Sequence, residues 1–239
     1  MAFISSSRGI FSAWLRIDDI AETRRLVFYE LSTGGPSYVR FSVYFDDTFQ
    51  KYIIDGTSLG TGAQFQLETV STIPAATSSE LHHFLASWDM SGGSFQGSIY
   101  LDDIADFNIN FGTDSGTEIE WQLIDSLNVF AIPPFTGNFW DGCCAQIYLN
   151  TEEYLDFSVT LNRRKFIDAL GGMVSLGING ELPTGNSPSI YHYGKPSNFP
   201  INYGTQGQMT NLVGILSNCP GIIPPGCCTW FFSDKFISF

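Results

Sequence analysis

Positive charge is what this 239-residue sequence has least of. Eleven lysines and arginines stand against 24 aspartates and glutamates, a formal net charge of −13. So acidic a surface repels phosphate, which argues against nucleic acid as a partner and against docking on anionic membrane. Charged residues of both signs reach only 15%, against 44% hydrophobic residues. Helical bundles and coiled coils draw on more lysine and glutamate, and disordered chains on fewer apolar residues, so both classes are excluded. Also missing is any apolar run near the ~20 residues of a membrane helix. The segment Met1-Ala2-Phe3-Ile4-Ser5-Ser6-Ser7-Arg8 has no basic stretch followed by an apolar one. No targeting signal is therefore expected, and the chain should be made in a cytoplasm and stay or assemble there. The Gly-x-Ser-x-Gly elbow, the P-loop and the dinucleotide fingerprint are absent as well.

What is abundant is turn formers and aromatics: 24 glycines, 11 prolines, 21 phenylalanines, 10 tyrosines and 5 tryptophans. That mixture points to β structure. Alternation with period two supports it. Residues 11–17 are apolar at odd positions, and in 38–45 Val39, Phe41, Val43 and Phe45 form a dry face opposite Tyr38, Arg40, Ser42 and Tyr44. Further strands are predicted at 25–31, 52–54, 64–70, 83–88, 97–101, 107–111, 119–123, 127–132, 145–149 and 173–178. About a dozen short strands between turn signals predict an all-β two-sheet sandwich or jelly roll. One helix is predicted over 156–169, with Asp156 as N-cap and Gly171-Gly172 as stop. Residues 1–215 read as the sandwich. Residues 216–239 read as a loop-rich, aromatic tail packing on the domain or on a neighbouring subunit.

The five cysteines, Cys143, Cys144, Cys219, Cys227 and Cys228, lack zinc-site spacing, and a chain of this length needs no disulfide framework. Reduced, mostly buried thiols are expected, with a bridge from Cys219 to Cys227 or Cys228 as the alternative. Adjacent side chains on a strand point to opposite faces, so neither Cys143-Cys144 nor His82-His83 can chelate as a pair. His82, His83 and His192 are expected to serve packing or surface roles.

Two stretches carry a family resemblance. Leu81-His82-His83-Phe84-Leu85-Ala86-Ser87-Trp88-Asp89 with Ile99-Tyr100-Leu101-Asp102 resembles the central hairpin of concanavalin A-like, laminin-G-like jelly rolls, with Asp103 where those domains usually have Gly. The second stretch runs from Phe139-Trp140-Asp141-Gly142 through Asn162-Arg163-Arg164-Lys165-Phe166 and Pro183-Thr184-Gly185 to Gly207. It resembles the C-terminal half of jelly-roll proteins from tailed-bacteriophage virions. Together they span roughly residues 80–210. The resemblance implies a concanavalin A-like sandwich and a virion setting: a capsid decoration or tail accessory protein, homo-oligomeric, acting through contacts with other virion proteins. A glycan-binding, receptor-recognising module is the alternative, and a glycoside hydrolase a weaker one.

Candidate chemistry is sparse. Glu118 and Glu120 would share a strand face about 6.5–7 Å apart, near the roughly 5–5.5 Å of a retaining carboxylate pair. The related glucanases, however, use three alternating acidic residues, and Gln122 stands in the third place. No catalysis and no resident cofactor are therefore expected. Asp46-Asp47, Asp102-Asp103 and Asp106 could offer oxygens to calcium, but paired aspartates at hairpin ends also cap turns. Arg163-Arg164-Lys165 is either a solvated helix face or an anchor gripping Glu152, Glu153 or a neighbouring subunit, with Phe166 beneath. Together with Trp230, Phe231 and Phe232 it is the candidate interface. Tyr191, Tyr193, Tyr203 and Trp230, expected as exposed aromatics, could stack on sugars or on a protein partner, and a protein contact is the favoured reading.

Overall fold

A computed structural model describes residues 4–18, 21, 23–32, 38–58, 62–73, 81–92, 94–112, 118–123, 127–129, 142–194, 197–199, 201–207, 211–212, 217–218, 230–231 and 237–238. The elements in chain order are β1 (Arg8–Ile17), β2 (Arg24–Ser32), β3 (Tyr38–Asp46), β4 (Lys51–Ser58), β5 (Gly62–Glu68), β6 (His82–Asp89), β7 (Gln96–Leu101), β8 (Ile104–Ala105), β9 (Asn108–Gly112), β10 (Leu127–Val129), β11 (Gly142–Asn150), α1 (Thr160–Arg163), β12 (Ile190–His192), β13 (Asn211–Leu212), β14 (Ser217–Asn218), β15 (Trp230–Phe231) and β16 (Ile237–Ser238). They form two antiparallel sheets packed as a β-sandwich, the all-β class that the alternation predicts. The first sheet has the order β14-β15-β11-β1-β6-β7-β8, with β12 also on β11; the second runs β13-β16-β10-β2-β3-β4-β5-β9.

The core between the sheets follows from the period-two pattern. Phe11, Ala13, Leu15 and Ile17 of β1 and Phe84, Ala86 and Trp88 of β6 face Val39, Phe41, Val43 and Phe45 of β3 and Phe65 and Leu67 of β5. Trp88 stacks on Phe65 with centroids 5.1 Å apart, and Phe41 bridges Trp88 and Trp121 at 5.4 and 5.0 Å. Gly9, opposite Trp88 in the β1–β6 register, leaves the indole its space: a Cβ there would lie 2.0 Å from the ring.

β1 and β11 are buried almost end to end rather than on alternate residues. The reason is a third layer. Residues 151–189, the strap, lie across the outer face of the first sheet. There Phe157, Phe166 and Leu176 pack on Ile10, Leu85, Tyr100, Tyr148 and Tyr191 in a second core. A strand covered on both faces has no wet side to write into its sequence.

Several local expectations are corrected. The helix predicted over 156–169 is the single turn α1, flanked by Val159 and Arg164; the Asp156 carboxylate instead accepts the Ser158 N–H at 2.8 Å. Residues 173–178 form no strand, because beyond one bridge between Ile167 and Met173 their carbonyls are taken by the Gln146 side chain and the Leu182 N–H and not by a neighbouring strand. Residues 119–123 hold one bridge, Ser6 to Ile119, followed by a 3-10 turn over Trp121–Leu123. The expectation of reduced thiols fails at Cys143, which is disulfide-bonded, and holds at Cys144, which is free and buried in the core. Cys219, Cys227 and Cys228, and the alternative bridge among them, lie outside the described residues.

Candidate functional site

The strap is shaped by short-range polar contacts. Thr151 and Ser189 hydroxyls meet at 2.7 Å and close its neck. Asn150 accepts the N–H groups of Glu152 and Glu153 at 2.9 and 3.1 Å. Phe166 then sets its ring edge against Phe157 and Tyr148, at 5.7 and 5.3 Å. Past it the chain doubles back over 167–173, where the Asp168 carboxylate accepts the N–H groups of Leu170 and Gly172 at 2.7 and 2.8 Å.

The basic triplet fastens this strap within the chain. Arg163 and Arg164 both meet the Asp103 carboxylate at 2.6 Å, and Arg163 also lies 4.6 Å over the Tyr100 ring. Their acid is thus Asp103, not Glu152 or Glu153. Lys165 donates to the Pro183 carbonyl at 2.7 Å. Asp102 and Asp103 form the two-residue β7–β8 turn with φ of 50° and 69°, the left-handed pair such a tight hairpin requires. Aspartate tolerates that region better than most residues, and here the second one supplies a latch that glycine could not. The two arginines hold its carboxyl below the usual range. Of the other candidate interface residues, Trp230 and Phe231 pair by backbone with Cys144 and Cys143, and Phe232 lies outside the described residues.

The cleft forms where the strap returns to the sheet. β11 carries a bulge opposite Ser12 to Trp14, and its extra residue Gln146 has φ of 51°. The bulge turns the Gln146 side chain toward the strap. Its Nε2 donates to the Val174 carbonyl at 2.7 Å. That acceptor fixes the amide orientation and leaves Oε1 bordering the cleft with no protein donor. Gln146 is only 5% exposed. Facing it, the Glu181 carboxylate accepts the Asn179 N–H at 2.9 Å, and backbone N–H groups hold its pKa below the ordinary glutamate value. Gly177, at φ 97°, makes room for it: a Cβ there would lie 2.6 Å from the carboxylate. Tyr191, expected to be exposed, is instead buried in the second core, because Tyr148 and Tyr193 pack on it; it stacks on Tyr193 at 4.7 Å, and Tyr203 packs on Tyr193 at 4.7 Å. Asn202 steadies this wall by accepting the Tyr191 N–H at 2.8 Å. The enclosed space is about 470 Å³, with Met173, Val174, Ile178 and Leu182 as its apolar lining. That lies within the range of small-ligand sites.

Other candidates are not brought together. Glu118 lies exposed beside the Ser6 bridge, and no regular strand aligns it with Glu120. His83 is buried, bonded to Ser12 at 2.9 Å and stacked on Trp14 at 4.8 Å; burial lowers its pKa to about 4. His192 bonds the Phe199 and Ile201 carbonyls, and burial lowers it likewise to about 4. His82 pairs with Asp102 at 2.7 Å. Asp46 caps Phe49, and Asp106 caps Val70 and Ser71. Among the described residues no three acidic, His or Cys side chains converge as for a metal. On the outer face of the second sheet, Gln66, Glu68, Asn108 and Asn110 join with Lys51, but they spend their hydrogen bonds largely on one another.

No family model matches the chain, and no curated protein matches it. The fold is shared with a protein of Bacteroides ovatus ATCC 8483, provisionally described as carbohydrate-binding, at a TM-score of 0.52 and 9% identity. The superposition covers 98% of this chain and 54% of that one, so this chain spans about half of that protein. The chain thus shares a two-sheet β-sandwich fold with that protein. At that identity the likeness speaks for the fold alone.

Proposed function

We propose that this chain is a non-enzymatic, lectin-like module that binds carbohydrate in the cleft between β12 and residues 173–182. The observation that carries the reading is the cleft itself. A 470 Å³ space has apolar side chains for the C–H faces of a sugar and fixed polar groups for its hydroxyls, on a fold shared with a provisionally described carbohydrate-binding protein. Lack of an aligned carboxylate pair supports binding without hydrolysis. A glycan array probed with the full chain, with calcium and with chelator, tests it. Binding to a defined set of glycans is expected in at least one condition, and a blank array in both would refute it.

A second reading is a bacteriophage virion component that assembles through protein contacts, as a capsid decoration or tail accessory protein and a homo-oligomer. The resemblance of residues 139–207 supports it. So do Leu161 and Leu170 on the strap, 78% and 97% exposed, as contact points for a neighbouring subunit. The two readings are compatible if the module recognises a host glycan from the particle. Light scattering and immunogold labelling of particles test it: an oligomer and regular label are expected, whereas a monomer that leaves particles unlabelled would discard it.

A further inference from the structure

We infer that the cleft selects neutral or amino-bearing sugars and turns away carboxylated, phosphorylated and sulfated ones. The inference rests on the carbohydrate-binding reading and adds the ligand's charge class. It follows from which hydrogen-bond roles remain open. Gln146 gives one Nε2 hydrogen to Val174, so the amide is left with its acceptor, Oε1, beside one remaining N–H. Glu181 offers carboxylate oxygens and no donor. The Tyr193 hydroxyl points at the Ile178 carbonyl at 3.5 Å, which leaves its oxygen lone pairs open. Ser175, whose Oγ accepts the Gly177 N–H at 3.4 Å, keeps a neutral O–H to give. Among the described residues no lysine or arginine borders the space, and the nearby basic triplet is committed to Asp103 and to the Pro183 carbonyl.

An anionic ligand group would therefore enter beside a fixed carboxylate with no cation among the described residues to meet it. Like charges brought together with partial loss of solvent oppose binding strongly. A sugar hydroxyl or ammonium meets the reverse situation, since each can donate to Gln146 Oε1 and to Glu181. A hydrogen bond to a charged acceptor is also the stronger kind. Ile178 and Leu182, 73% and 63% exposed at the rim, would cover the apolar face of the same ring. Selection thus comes from an acceptor-rich, anionic lining and not from pocket size.

The test is an array carrying neutral, amino-bearing and acidic glycans, followed by calorimetry of the best ligand with wild type, Glu181→Gln and Gln146→Leu. Glu181→Gln keeps the side-chain shape and guards against loss of fold in Gln146→Leu. Expected are neutral or amino-bearing hits only, at least a tenfold loss of affinity in each variant, and new binding of acidic glycans by Glu181→Gln. Acidic glycans bound by wild type, and lost in both variants, would overturn the charge selection while leaving the cleft as the site. Glycans bound equally by all three proteins would overturn the site while leaving carbohydrate binding. A blank array would overturn the carbohydrate reading itself.

Discussion

His83 and His192 are the residues whose chemistry is most altered by the fold. Both are fully buried, and burial drives each pKa down from 6.5 to about 4. Between those values the unfolded chain takes up protons that the folded chain refuses, so folded stability falls as pH drops from about 6.5 to about 4 and levels off below. The limit is on the order of 3 kcal/mol per histidine. The carboxylates with lowered pKa values, among them Asp103 and Glu181, lose their contributions only at still more acid pH. Urea unfolding at pH 7, 5.5 and 4.5 should show a marked decline, reduced in His83→Gln; a flat profile would contradict the buried, neutral histidines. From sequence both were expected in packing or surface roles, for want of convergent ligands, and the fold buries both. The sequence also singled out Tyr191, Tyr193 and Tyr203. It gave no sign of Gln146 or Glu181, whose roles depend on a bulge set by register with β1 and on a glycine clearing space four residues away.

The strands announced themselves because each main one has a dry face and a turn at its end. The strap did not, since its path comes from aspartate and asparagine side chains catching nearby N–H groups and from two phenylalanines reaching the sheet. Phe157, Phe166 and Ile167 lie near helical spacing, yet only Thr160–Arg163 are helical. Likewise Met173–Ile178 alternates, but alternation without a neighbouring strand makes no ladder. The latch between the β7–β8 turn and the strap is this layer's main electrostatic tie. Asp103→Asn keeps a residue that tolerates the left-handed turn and removes the charge. It should cost about 1–3 kcal/mol, since two partly buried guanidinium groups lose their acid. Faster proteolysis within 151–189 at unchanged overall fold is the readout. A strap equally protected in the variant would mean that Phe157 and Phe166 hold it alone.

At the scale of the molecule, three layers share the first sheet, and chain ends far apart in sequence meet on β11. β1 pairs along one edge of β11, β12 covers one half of the other, and β15 covers the remainder at Cys143 and Cys144. The Cys143 disulfide adds a covalent tie. A disulfide stabilises by about 2–4 kcal/mol, so Cys143→Ser should lower the unfolding midpoint and reductant should do the same to wild type. Alkylation after unfolding without reductant should label Cys144 and spare Cys143; labelling of both would deny the bridge. Charge patterning at this scale agrees with the cleft. A chain of net charge −13 with its basic triplet turned inward presents an acidic surface around an acceptor-lined site.

The measurement that bears most directly on carbohydrate recognition at this site is heteronuclear NMR of the full chain titrated with the best array sugar. Saturable shifts are expected at the Gln146 side-chain amide, at Gly177 and Glu181, and at Tyr191 and Tyr193, with the second sheet unmoved. Shifts confined to Gln66, Glu68, Asn108 and Asn110 would place recognition on the opposite face of the sandwich and contradict the cleft as its site.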